Sequence, residues 1–210
     1  MTLPRLHLVT DSETLRAADF PRRMRAVLEA GKERVALHLR GPGMEGRELY
    51  QLAMVAARRA RATGSLLLVN DRFDVALAAG ADGVQLGGHG VPADAVRGFT
   101  GKKLLIGRSV HSRGEASRAG AEGADFLLFG TVYATPSHPG RPGRGVATVR
   151  GISNSRLPVI AIGGITPGRA ARVTRAGAYG VAVLRGVWRR ADPEVAVAVY
   201  LDEIETAASR

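Results

Sequence analysis

Residues 79–87, AGADGVQLG, return in altered form as EGADFLLFG at 122–130 and AGAYGVAVL at 176–184. Each copy closes an amphipathic stretch on glycine, turns, and enters a short apolar run. That is how the helix of one βα unit hands over to the next strand, and its recurrence marks repeated units. Working outward, the same grammar places eight strands, at 5–10, 34–40, 65–70, 83–87, 104–109, 125–130, 158–163 and 179–185. Between them lie helical patterns. In GRELYQLAMVAARRARATG, 46–64, Leu49, Leu52, Ala53, Ala56 and Ala60 recur at helical spacing. Near-continuous apolar strands separated by helices imply a parallel sheet covered on both faces. A doubly wound open sheet competes, but eight units sharing one turn favour an α/β fold of the single (β/α)8 TIM-barrel type, one domain over 1–210. The Pro/Gly-rich ATPSHPGRPGRG, 134–145, follows strand six as an active-site loop would.

Composition narrows the classes. The 210 residues are 45% hydrophobic with 27 Gly, enough for a large core and many tight turns. No apolar run approaches the ~20 residues of a membrane span, and MTLPRLHLVTDS lacks the centre of a signal peptide, so a cytoplasmic, membrane-free protein is expected. Without Cys there is no disulfide framework and no thiolate metal site. The net charge of +11 suggests nucleic acid, but the arginines are scattered (Arg22, Arg58, Arg172, Arg189) and aromatics are only 5%, too few for base stacking. No nucleic-acid partner is expected; attraction of small anions is.

In a barrel, active residues come from the carboxyl ends of the strands. Those ends carry His38 and Arg40, Asn70, Gln85, Arg108, Ser109 and His111, and Thr131. All but His111 are candidate substrate-binding residues. His111 is the candidate catalytic residue, because an imidazole of ordinary pKa about 6.5 moves protons near neutrality. Arg40 shares a strand face with His38 and can clamp a carboxylate or phosphate; the pair can equally form a buried polar layer. After strands seven and eight, Gly163–Gly164 and Leu184–Arg185–Gly186 offer backbone amides to an anion, where barrels often hold phosphate.

Together LHLVTDS (6–12), LLLVNDRFDVALAAGADGVQLG (66–87), IGRSVHS (106–112), GADFLLFGTVYATPSHPG (123–140), GRGV (143–146) and PVIAIGGITPGRA (158–170) resemble the thiamine phosphate synthase superfamily. The resemblance implies one of two activities. Synthases join a pyrimidine diphosphate to a thiazole phosphate and expel diphosphate on Mg²⁺. Their pattern has Gln-x-Arg-x-Lys ending strand two, an Asn-Asp pair after strand three, a second Asp after strand four and a Lys in the loop after strand six. Here Asn70 and Asp71 match. His38 stands for the Gln, Pro42 for the strand-two Lys, Gly88–His89–Gly90 for the acidic turn, and loop six has no Lys. The thiazole tautomerase branch fits IGRSVHS, His-x-Arg and GRGV, with His111 matching its catalytic His. Arg185 departs from the small residue common beside the phosphate. The expectation is therefore a tautomerase, an isomerase aromatising a thiazole phosphate carboxylate, with no cofactor and no metal; Mg²⁺ enters only with the synthase alternative. A non-catalytic thiazole-binding regulatory barrel is the third reading. The expected partner is the small thiazole phosphate, and a homo-oligomer is compatible with all three readings.

Overall fold

A computed structural model describes residues 2–137, 140, 142–153 and 155–209; His138, and part of the 134–145 loop with it, lies outside the described residues. Eight parallel strands close into a barrel in chain order, β1 (Leu6–Val9), β2 (Val35–Leu39), β3 (Leu66–Asn70), β4 (Gly83–Leu86), β5 (Leu105–Val110), β6 (Phe126–Gly130), β7 (Val159–Ile162) and β8 (Gly180–Val183), with β8 pairing back to β1. Among the described residues ten α-helices lie around them: α1 (Ser12–Arg16), α2 (Phe20–Gly31), α3 (Gly46–Thr63), α4 (Phe73–Ala79), α5 (Ala93–Thr100), α6 (Arg113–Ala121), α7 (Val146–Ser153), α8 (Pro167–Arg175), α9 (Arg185–Trp188) and α10 (Pro193–Ala208). The (β/α)8 barrel read from the repeats is the observed fold.

Strand alternation divides the apolar residues into two cores. Val35, Leu37 and Leu39 of β2 face outward into the large cluster between sheet and helices. Ala36 faces inward, with Leu68, Phe126, Leu128 and Ile160, and these fill the barrel. The helix ends predicted from glycine are left-handed caps at Gly64 (φ 75°) and Gly80 (φ 67°).

Two histidines are embedded in this filling. His7 and His38 are fully buried, with His7 Nδ1 at 2.7 Å from His38 Nε2 and His7 Nε2 at 3.0 Å from the Pro4 carbonyl oxygen. The carbonyl can only accept, so His7 Nε2–H donates to it, His7 Nδ1 is bare, and His38 Nε2–H donates to His7. Burial pushes His7 down to about 4, against a smaller upward pull from the Pro4 bond. Burial, and then the neighbouring His7, holds His38 well below its ordinary value. Both rings are neutral near pH 7.

Candidate functional site

A cavity of about 480 Å³ opens at the carboxyl ends of the strands. Val9, Leu128, Ile162 and Ala182 make its apolar floor, and Arg40, Asn70, Asp71, Ser109, His111, Thr131 and Arg185 stand in its wall.

His111 is held at two points. Its backbone N–H donates to Glu115 Oε2 at 2.8 Å, while Ser112 caps α6 by accepting from Glu115 N at 3.2 Å. Its Nδ1–H donates to the Gly130 carbonyl at 2.6 Å, so in the neutral ring Nε2 is bare, beside Gly88 on the cavity wall. Arg144 Nε donates to the same Gly130 oxygen at 3.2 Å. Arg40 follows β2 directly, its backbone N–H donating to Thr10 Oγ1 at 2.9 Å. Asp71 has a left-handed backbone (φ 59°) that turns its carboxylate back over the strand ends, where Oδ1 accepts from Gly87 N at 2.7 Å. A Cβ at Gly87 or Gly90 would stand 3.2 or 3.3 Å from that oxygen, so these glycines leave room around the carboxylate.

Across the mouth the wall is backbone. Gly163 (φ 104°) and Gly164 (φ 62°) carry the chain out of β7 through a turn in which four successive carbonyls are engaged. The Ile162 and Gly163 oxygens accept from Val132 N and Tyr133 N at 2.9 and 3.0 Å. The Gly164 oxygen accepts from Arg169 Nη1, and the Ile165 oxygen from the Tyr200 hydroxyl, each at 2.8 Å. Burial raises that phenol to about 12, so it stays a donor. In a trans peptide the carbonyl and the following N–H point in opposite directions. The N–H groups of Gly164 and Ile165, two neighbouring cavity residues beyond the end of the β7–β8 ladder, have no acceptor among the described residues. Such a pair of free amides is suited to an anion.

Of the residues selected from sequence, Arg40, Asn70, Ser109, His111, Thr131, Gly163, Gly164, Leu184, Arg185 and Gly186 meet around this cavity. His38 does not: it lies in the barrel filling, paired with His7. Gln85 is also fully buried, its Nε2–H donating to Ser109 Oγ at 3.1 Å. Arg108 leaves the opposite face of β5 from Ser109 and donates to Val91 O (2.8 Å) and Gly88 O (3.2 Å), bracing the turn after β4. Gly186 has a packing reason of its own, since a Cβ there would collide with Tyr200 Oη. Sequence reading did not select Thr135 and Ser137 of the loop after β6, or His89. The polar loop composition was their only signal.

Among the described residues no three His, Cys, Asp or Glu side chains converge as a metal cluster, and no helix is long and apolar enough to cross a membrane.

Residues 6–187 match the family model "Thiamine monophosphate synthase". The chain is 38% identical over 204 residues to the thiamine-phosphate synthase of Methanoculleus marisnigri, covering 96% of each. It is 44% identical over 191 residues to a thiamine biosynthesis bifunctional protein of Symbiobacterium thermophilum, spanning 88% of this chain but only 38% of that longer one. Among solved structures it is similar to thiamine phosphate pyrophosphorylase from Pyrococcus furiosus, with TM-score 0.85, 32% identity and 97% and 96% of the two chains covered. These relatives overturn the tautomerase, and with it the isomerase, expected from sequence. That expectation took Gly88–Gly90 and the absent loop-six Lys as the loss of the synthase's diphosphate subsite. Mg²⁺ needs only one or two protein carboxylates when substrate phosphates complete its shell, and Asp71, the carboxylate on the cavity wall, is still in place.

Proposed function

Because the chain belongs to the thiamine monophosphate synthase family, and is an enzyme of thiamine biosynthesis, we propose that it is a transferase that joins a pyrimidine diphosphate to a thiazole phosphate and releases diphosphate. The observation that carries this reading is one cavity with a wall of charged side chains facing a wall of main-chain amides. The free amides of Gly164 and Ile165, with Arg185, take the thiazole phosphate. Arg40 and Asp71 face the diphosphate from the other wall. The apolar floor of Val9, Leu128 and Ile162 holds the two rings between them and excludes water.

Asp71 fits Mg²⁺ shared with the substrate: its carboxylate has room beside it and only Oδ1 is engaged. When bound there, the ion neutralises charge on the departing diphosphate. The bond from carbon to the diphosphate oxygen breaks with its electron pair leaving on diphosphate. The thiazole ring supplies the pair for the new bond, and no proton need move. Arg40 supports the charge that develops on the leaving group. His111 presents Nε2 to the same space as a hydrogen-bonding partner rather than as a proton carrier.

The test is a coupled assay with both substrates, with and without Mg²⁺. Diphosphate released in equal amount to thiamine phosphate, abolished by EDTA and restored by Mg²⁺, is the expected result. No coupling at millimolar substrate and Mg²⁺ would end the proposal.

A further inference from the structure

We infer that Arg169 is a positioning residue for the phosphate turn, a staple that aims the Ile165 amide at the ligand. The inference rests on the reading of Gly164 and Ile165 as a phosphate site.

The argument starts from the weakness of that turn. Gly164 lacks a Cβ and sits at φ 62°, so the peptide plane between Gly164 and Ile165 has little steric resistance to rotation. If it rotates, the Ile165 N–H leaves the cavity and a carbonyl dipole replaces it, repelling an anion. Arg169, in the first turn of α8, opposes this directly. Its Nη1 donates to the Gly164 oxygen at 2.8 Å, which fixes the plane and so the antiparallel N–H of Ile165.

The same guanidinium lies over the Tyr133 ring, 4.3 Å from its centroid. Tyr133 N–H in turn holds the Gly163 oxygen at 3.0 Å. One side chain therefore ties the loop after β6 to the turn after β7. Only a planar fork can stack on a ring and donate in its own plane at once; a lysine ammonium has no plane to do so. The Tyr133 hydroxyl is buried without a partner among the described residues, so the ring face and not the hydroxyl makes the contact.

Affinity for inorganic phosphate, measured by calorimetry with thiazole phosphate as competitor, tests the inference without relying on turnover. Arg169→Gln and Arg169→Lys should both weaken phosphate roughly tenfold, the scale of one charge-assisted hydrogen bond. In the coupled assay both should raise KM for thiazole phosphate similarly, leaving kcat and the KM for pyrimidine diphosphate within about twofold. Tyr133→Phe should match wild type, and Tyr133→Leu should fall between. Full retention of phosphate affinity in Arg169→Lys would reduce the residue to a point charge and overturn the proposal, as would wild-type affinity in Arg169→Gln. A wild-type protein that binds no phosphate overturns the phosphate reading and this proposal with it; equal affinities overturn this proposal alone.

Discussion

The two walls of the cavity are built by different means. After β2 and β3 the wall is made of side chains, Arg40 and Asp71, with open space around the carboxylate. After β7 it is made of main chain whose carbonyls are all engaged on the far side. A side-chain wall that shares a cation with its substrate tolerates the loss of residues, because substrate oxygens fill places in the cation's shell. A backbone wall depends on φ and on hydrogen bonds behind it. The departures from the synthase pattern at His38, Pro42 and Gly88–Gly90 all fall on or below the side-chain side.

The comparison breaks most sharply at Asp71. Asp71→Ala should lower kcat/KM for coupling by roughly two to three orders of magnitude and raise the Mg²⁺ concentration required, with phosphate affinity at the opposite wall unchanged. Coupling rates measured across a Mg²⁺ titration check it, and a variant with wild-type Mg²⁺ dependence would remove the carboxylate from the site.

A smaller effect is expected at Gly164. Gly164→Ala forces a side chain into φ 62° with its Cβ 2.7 Å from the Ala134 oxygen. It should raise KM for thiazole phosphate roughly tenfold and cost about 1–2 kcal/mol in chemical denaturation. Unchanged KM for the phosphate substrate would mean the turn is a structural bend only.

The smallest effect at neutral pH concerns the histidines under both walls. His7 is held at about 4, so between the unfolded value of about 6.5 and that point the unfolded chain binds a proton that the native chain refuses. Stability is therefore greatest above pH 6.5 and should fall as pH drops toward 4, by on the order of 3 kcal/mol from His7 alone. Ordinary carboxylates titrate only at the lower edge of this window. Thermal unfolding at pH 7.5, 5.5 and 4.5 should show the decline in wild type and a flatter profile in a His7→Leu/His38→Met variant. Identical profiles would show that the pair does not govern acid sensitivity.

The barrel was legible because each strand's composition and each Gly-ended helix repeat one local rule. Leu37 and Leu39 outward with Ala36 inward follows from period-two alternation alone. The site was legible in part. Parity put His38 and Arg40 on the same face of β2, but parity carries no depth, and one pleat separates the cavity wall from the packed interior. Arg108 and Ser109 show the other limit, since neighbours on a strand must diverge. The activity was misread where the missing carboxylate at Gly88–Gly90 was equated with missing chemistry, although a cation shared with a substrate needs only one or two protein carboxylates.

The hydrogen-bonded row from Pro4 through His7 to His38 has a direction. The Pro4 oxygen accepts and never donates, so neither ring can give up or reverse its proton without the other changing tautomer as well. The two ring protons should consequently resist deuterium exchange together, released only when the strands around them separate. Their common exchange rate in heavy water would then clock the opening of the whole barrel, read from two atoms at its centre.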